Sequence, residues 1–226
     1  MWDDIIYVSL LLVSIGFGKI TRQIQDKQSR KWISSIFGLF ILLVVSGWST
    51  LHPLVSVLLH TLLIKFVKND ILHWVNFVFG FAYLVFFRLC GSSYIPWLPS
   101  VPSHTNAVQM IMTLKLMGLA FEVHDSNLPN QDSLEKKYKH LKEVPPLDIF
   151  HYSFAHSGIL TGPYYTFRTF QDMYETPYAS YIDCDFAMIK RILRVPFYVV
   201  LFLVSGYIFP LKVKYLNNTF RSRLLC

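Results

Sequence analysis

The 226-residue sequence lacks the motifs through which most soluble enzymes bind phosphates, metals or nucleotides. It has no Gly-x-Ser-x-Gly nucleophile elbow, no P-loop, no His-Glu-x-x-His zinc motif and no dinucleotide fingerprint. Its three cysteines, Cys90, Cys184 and Cys226, are far apart in sequence and fit no disulfide framework or zinc spacing. His151 and His156 lie about 140° apart around a helix and share no face for a metal. We therefore expect no metal and no cofactor, and structural roles for these histidines.

Acidic residues are also few, since 14 Asp and Glu stand against 21 Lys and Arg, which leaves a formal net charge of +7. The excess positive charge is spread over several loops, and no basic domain or nucleic-acid-binding motif is present. We attribute this charge to membrane topology and to contact with lipid headgroups, and we expect no nucleic acid as a partner.

Hydrophobic residues, in contrast, make up 53% of the chain, and its mean hydropathy is +0.40. They form blocks rather than amphipathic periods, which excludes a soluble globular domain. Several blocks are shorter than the roughly 20 residues that cross a bilayer upright. We predict an all-α, polytopic membrane helix bundle in one domain, residues 1–226, with six or seven membrane segments. These are residues 5–20, 32–48, 54–67, 74–87, 108–121 and 195–209, with a weaker block at 149–165.

The distribution of basic residues predicts the topology. Asp3 and Asp4 precede the first block and basic residues follow it, the reverse of a signal peptide, so we interpret that block as a retained span. The positive-inside rule then places residues 122–148, which carry four lysines, in the cytosol. The weaker block is either a full span or a re-entrant or interfacial segment, in which a broken helix must be covered by protein or by a water-filled cavity.

Lys115 is a cation within an otherwise apolar block. A charge at membrane depth is costly and is usually retained for a function. On a helix Lys115, Gly118, Glu122 and Asp125 fall on one stripe, with Gly118 leaving room for another group to approach. The spacing predicts the wall of a charged cavity inside the bundle. The alternative is an internal ion pair between Lys115 and Glu122.

A second feature is the stretch Gly-Ile-Leu-Thr-Gly-Pro-Tyr-Tyr-Thr-Phe-Arg-Thr-Phe over residues 158–170. Gly162-Pro163 is predicted to break the helix, with Tyr164, Tyr165 and Arg168 crowded around the break. Such a turn suits a lipid headgroup or an acyl thioester. The alternative is an interfacial aromatic belt in which Arg168 extends its charge to the membrane surface.

Both features lie in stretches that match a known pattern. The runs Thr105-Asn-Ala-Val-Gln109, Thr113-Leu-Lys-Leu116 and Glu122-Val123, together with the run over 158–170, resemble the membrane-bound O-acyltransferase family. Within it they are most similar to the lysophospholipid branch that reacylates lysophosphatidylinositol. The resemblance implies transfer of a fatty acyl group from acyl-CoA, as co-substrate, to the free hydroxyl of a lysophospholipid. It also implies a multi-pass protein of the endoplasmic reticulum membrane that acts in phospholipid remodelling.

The family uses a histidine in a Trp-His-Gly segment as general base and an upstream asparagine. No Trp-His-Gly occurs here, so we expect this chain to be the N-terminal half, inactive alone, and transfer no catalytic role to His52, His151 or His156. The resemblance leaves a substrate-binding role for seven residues, namely Lys115, Glu122, Gly162, Pro163, Tyr164, Tyr165 and Arg168.

Two other interpretations remain open at this point. The chain is then either a catalytically inactive short isoform that binds lipid or a partner, or an unrelated small channel or transporter. The second predicts an internal repeat, and the sequence contains none.

Overall fold

The computed structural model describes residues 2–91, 103–127, 144–160, 162, 164–175 and 184–208. All regular structure in these residues is helical, which confirms the all-α prediction. They form two compact units, residues 1–176 and 177–226. The helices of the first unit are α1 Trp2–Gln23, α2 Lys27–Ser46, α3 Leu51–Phe66, α4 Asn69–Gly91, α5 Ser103–Ser126, α6 Pro146–Phe154 and α7 Phe167–Glu175.

The second unit contains α8, Cys184–Ile192, and α9, Val195–Ile208. α9 is apolar along its whole length and corresponds to the predicted block at 195–209, whose last residue lies outside the described part of the chain.

Two helical stretches in the described part of the chain are long and apolar enough to cross a membrane. The first, Lys27–Phe66, comprises α2, a 3-10 turn over Gly47–Thr50 and α3, and the second is Asn69–Leu89 in α4. A shorter apolar stretch, Ser9–Thr21, lies in α1. Large apolar side chains point outward from the first unit, and Trp48 is 90% exposed. Such outward apolar surface is typical of a protein that contacts lipid or further protein.

Local sequence signals define both ends of α2. At its start the Asp26 carboxylate accepts a 2.8 Å hydrogen bond from the Ser29 backbone N–H, as an N-cap residue does. Hydrogen bonds from Ser29 hold the Asp26 pKa below its ordinary value. At its end Gly47 adopts φ of 52°, a conformation that glycine reaches without strain, and its N–H donates to the Leu43 carbonyl.

α5 is the central helix of the first unit, where it contacts α2, α3, α4, α6 and α7. Residues on its inner face recur every three or four positions, as the 3.6-residue helical period requires. The fully buried apolar residues of that face are Val108, Met112, Leu116, Leu119 and Val123. A functional group on this inner face of α5 is therefore held inside the core of the unit.

The weak block at 149–165 is not one helix. α6 has only nine residues, about 13 Å of helix, which is too short for a hydrocarbon core of about 30 Å. It ends at Phe154. The described residues of 155–166, which we call the linking segment, form no helix or strand. The prediction that Gly162-Pro163 breaks the helix is wrong, because the helix ends eight residues before Gly162.

The early end of α6 has a tertiary cause. The His156 N–H donates to the Ser34 carbonyl of α2 at 3.2 Å rather than to a carbonyl of its own helix. Gly38, one turn further along α2, permits this approach, because a Cβ atom there would overlap the Phe154 carbonyl oxygen. Contacts with α2 thus satisfy backbone groups that the broken helix leaves without helical partners.

Candidate functional site

Lys115 is buried among neutral groups. Its side chain is 1% exposed, and Nζ donates to the Tyr165 hydroxyl at 3.2 Å and to the Tyr152 carbonyl at 3.5 Å. Nζ also lies 4.5 Å and 5.4 Å from the ring centroids of Tyr165 and Tyr152, within cation–π range. Among the described residues no carboxylate reaches ion-pair distance of this ammonium group. The alternative of an ion pair with Glu122 is therefore wrong.

The two tyrosines extend this contact into a network. The Tyr165 hydroxyl donates to the Ser157 carbonyl at 2.9 Å, and the Tyr152 hydroxyl donates to the Tyr165 carbonyl at 2.6 Å. The Tyr152 ring packs edge-on against the rings of Phe167 and Phe170, at 5.3 Å and 5.5 Å between centroids. Lys115 therefore joins α5 to α6, to the linking segment and, through Tyr152, to α7.

Glu122 lies two turns further along α5 and caps α7. One carboxylate oxygen accepts from the Phe167 N–H at 3.0 Å and the other from the Arg168 N–H at 3.1 Å. The first N–H groups of a helix have no partner within it, and the helix dipole there favours a negative charge. Glu122 was predicted as a substrate-binding residue, and the structure shows its carboxylate already engaged by backbone.

We expect Glu122→Ala to lower the free energy of unfolding by about 1–2 kcal/mol, the usual cost of losing a helix cap. Glu122→Gln, which keeps one acceptor oxygen, should cost less. Thermal unfolding of the detergent-solubilised protein measures both. Asp125→Asn is the matched control, because Asp125 is on the same helix, is 62% exposed and has its carboxylate 3.3 Å from His124 rather than at the start of α7. Equal unfolding temperatures for Glu122→Ala and the control would contradict the capping role.

Two glycines permit close packing around the predicted site, Gly118 of the Lys115 stripe and Gly162. A Cβ on Gly118 would overlap the Tyr164 hydroxyl, so Gly118 does leave room for another group, and that group belongs to the protein itself. A Cβ on Gly162 would overlap the Cα of Gly158, whose φ of 86° favours glycine. Pro163 lies outside the described residues.

The described members of the predicted site therefore gather around the linking segment, in two different environments. Lys115 and Tyr165 are engaged inside the protein, and Glu122 binds backbone. Tyr164, in contrast, is 46% exposed, and Arg168, in the first turn of α7, is also exposed. The exposed pair is the part of the site that a ligand can reach directly.

Sequence reasoning missed the partner helix on the other side of the linking segment. Ser34 Oγ lies 2.8 Å from His156 Nδ1, and Ser35 Oγ lies 2.9 Å from His151 Nδ1. With Gly38 these serines form a row of small residues on one face of an apolar helix, a pattern typical of close helix contacts in membranes. This row of small residues is the sequence signal that could have predicted the contact between α2 and the linking segment. Each histidine thus has one ring nitrogen bonded to a serine inside the bundle.

Charged residues at the start of α2 complete the attachment. Lys31 Nζ lies 2.9 Å from the Asp148 carboxylate in the first turn of α6. Arg30 donates to the Tyr174 carbonyl at 2.6 Å in the last turn of α7, and its guanidinium lies 5.1 Å from the Tyr174 ring centroid. The region from α6 to α7 is thus held between α2 on one side and α5 on the other.

Comparison with known proteins identifies the class. No protein-family model matches the chain. It is 35% identical over 98% of its length to the Drosophila melanogaster membrane-bound acylglycerophosphatidylinositol O-acyltransferase. It is 32% and 31% identical, over 91% and 93% of its length, to the Homo sapiens and Caenorhabditis elegans proteins of the same name. These alignments cover 48%, 44% and 45% of the relatives, so the chain spans about half the length of the curated relatives it matches.

These matches make the chain a relative of the membrane-bound O-acyltransferases, and its helical architecture is consistent with that relationship. Within that class the chain matches the branch named for acylglycerophosphatidylinositol, which confirms the resemblance found in its sequence motifs.

Proposed function

We propose that this chain is part of an acyl-CoA:lysophospholipid O-acyltransferase that reacylates lysophosphatidylinositol during phospholipid remodelling. The observation that carries the proposal is the similarity over 98% of the chain to a protein named for acyl transfer to an acylglycerophosphatidylinositol. The alternatives of an inactive isoform and of a channel have no comparable observation behind them.

The proposed setting is a multi-pass helix bundle in the endoplasmic reticulum membrane. Among the residues that the structure describes, two helical stretches suit a crossing by length and composition, and α1 carries a shorter apolar stretch. The central charge of the first unit is enclosed by protein, as a polar group at membrane depth requires. Lipids would surround the exposed apolar side chains of α2, α3 and α4.

In the proposed reaction the free hydroxyl oxygen of the lysophospholipid attacks the thioester carbonyl carbon of acyl-CoA. The carbon–oxygen bond of the new ester forms, the carbon–sulfur bond breaks, and coenzyme A leaves as its thiol with the proton from the hydroxyl. No metal or cofactor takes part in this exchange. We assign no catalytic residue within residues 1–226.

The contribution proposed for this chain is one wall of the substrate site. Lys115, Tyr165 and Glu122 hold the linking segment and the start of α7 in place. Tyr164 and Arg168 are exposed on that wall, and the Arg168 guanidinium suits the phosphate of lysophosphatidylinositol or of acyl-CoA. In this arrangement Lys115 is a positioning residue, and the ligand contacts fall to Tyr164 and Arg168.

The test is acyl transfer in membranes that contain the natural protein with this chain. With acyl-CoA as donor we expect phosphatidylinositol to form from lysophosphatidylinositol. The rate of acyl transfer should exceed both the rate in membranes without the protein and the rate with lysophosphatidylcholine as acceptor. Arg168→Gln should raise the KM for one substrate roughly tenfold, since a charge-assisted hydrogen bond contributes about 1.5 kcal/mol or more. If neither acceptor gives product, the proposed acyltransferase activity is wrong. If only lysophosphatidylcholine gives product, the proposed specificity for the inositol headgroup is wrong.

A further inference from the structure

A cavity away from the Lys115 network lies where α3, α4, α5 and α6 meet. Its volume is about 680 Å³, within the range of cavities that hold small ligands. Among the described residues that line it, Lys65 is the only charged one, and Asn69 and Asn127 supply further polar side chains. The described lining therefore presents positive charge and amide groups and contains no carboxylate. One of the amides, Asn127 Nδ2, also donates to the Val123 carbonyl at 2.8 Å.

An apolar groove of about 400 Å³ lies between α3 and α6, beside this cavity. The two spaces share two lining residues, Thr61 and Pro146. The shared Thr61 hydroxyl is occupied, because it donates to the Val57 carbonyl at 2.7 Å. The remaining described residues that line the groove are apolar, namely Leu54, Val55, Val57, Leu58, Phe150 and Phe154.

Polarity changes along α3 from the groove to the cavity. The groove follows α3 from Leu54 to Thr61, about 10 Å of helix, and the cavity continues from Thr61 to Lys65. An apolar channel that opens into a space beside a lysine matches a molecule with a hydrocarbon chain and an anionic head. The positive-inside rule places the Lys65 end of α3 on the cytosolic side, where anionic lipids are concentrated.

We propose that this cavity and groove bind one anionic phospholipid, a site separate from the substrate wall. Its phosphate lies beside Lys65 and the two asparagines, and one acyl chain lies in the groove between α3 and α6. Because α6 leads directly into the linking segment, the bound lipid supports the helix from which that segment begins. None of the described residues that line the cavity or the groove is Lys115, Tyr152 or Tyr165, so lipid binding at this site can be measured separately from acyl transfer.

The experiment is native mass spectrometry of the full-length protein that contains this chain, in detergent, titrated with phosphatidylserine or phosphatidylcholine. We expect one tightly retained phosphatidylserine and weaker retention of phosphatidylcholine. Lys65→Gln should weaken phosphatidylserine binding roughly fivefold, the contribution of one lysine near an anionic lipid. Lys68→Gln is the matched control, since Lys68 is a neighbouring lysine that does not line the cavity. If both variants lose the same phosphatidylserine affinity, the lipid phosphate does not lie beside Lys65.

A second pair of variants tests the acyl chain. Leu58→Trp should fill the groove and abolish the retained lipid, whereas Leu62→Trp, an exposed leucine of α3 that does not line the groove, should leave it bound. Unchanged binding in Leu58→Trp would overturn the position of the chain. Absence of bound lipid from wild-type protein would mean that another part of the protein covers the groove, and displacement by acyl-CoA would assign the site to the co-substrate. Either result would overturn the proposed phospholipid site. Neither would bear on the proposed acyltransferase activity, which is measured separately.

Discussion

Gly38→Ala is expected to lower the free energy of unfolding by about 2–3 kcal/mol, the cost of overpacking at a tightly packed position. A Cβ at residue 38 would overlap the Phe154 carbonyl oxygen and lie 3.0 Å from the His156 backbone nitrogen. Both neighbours are backbone atoms, held by the hydrogen bond from His156 to Ser34. They cannot move away as the end of a flexible side chain can, so α6 and the linking segment must separate from α2.

The matched control is Gly16→Ala on α1. Nothing lies within 4 Å of a Cβ at residue 16, so the alanine meets no steric resistance there. Alanine is also favoured over glycine in a helix by about 1 kcal/mol. We therefore expect the two substitutions to have opposite signs. Thermal unfolding of the detergent-solubilised protein, followed by circular dichroism, measures both. Similar destabilisation by both variants would show that the contact between Gly38 and Phe154 does not hold α6 in place.

Lys115→Met is expected to lower kcat/KM for acyl transfer tenfold or more while changing the free energy of unfolding little. The ammonium group contributes hydrogen bonds worth about 1.5–3 kcal/mol each and cation–π contacts of about 2 kcal/mol. Against this stands a desolvation cost of several kcal/mol for a buried cation with no carboxylate partner. These terms are of similar size, so stability is nearly conserved. Activity falls because Tyr165 and the linking segment lose their attachment to α5.

A conservative substitution of Lys115 distinguishes the effect of its positive charge from the effect of its exact side-chain geometry. Lys115→Arg retains a cation for the two tyrosines and should keep more activity than Lys115→Ala. Tyr165→Phe removes the acceptor of the 3.2 Å hydrogen bond, and its effect should not add to that of Lys115→Met, because both break one contact. A positioning role predicts a rise in KM that exceeds the fall in kcat. Normal rates in Lys115→Ala and Lys115→Arg would remove Lys115 from the mechanism.

The outcome for Glu122 shows why contacts at the predicted site were hard to anticipate. Its spacing from Lys115 on one helix stripe suggested an ion pair, because helical geometry is the only neighbour relation that a sequence provides directly. The actual partners are two backbone N–H groups 45 and 46 residues away. Backbone groups are present at every residue, so no sequence pattern marks which of them will meet a carboxylate.

The sequence by itself determined the helical class, the positions of the long helices and the relationship to the acyltransferases. Apolar blocks are local properties, and burial of a contiguous apolar stretch favours a helix wherever water is excluded. Only the tertiary structure decided where α6 ends, that Lys115 meets two tyrosines, and that Ser34 and Ser35 receive His156 and His151. Each of these depends on segments distant in sequence, whose approach is set by steric fit at positions such as Gly38 and by the need to satisfy buried polar groups.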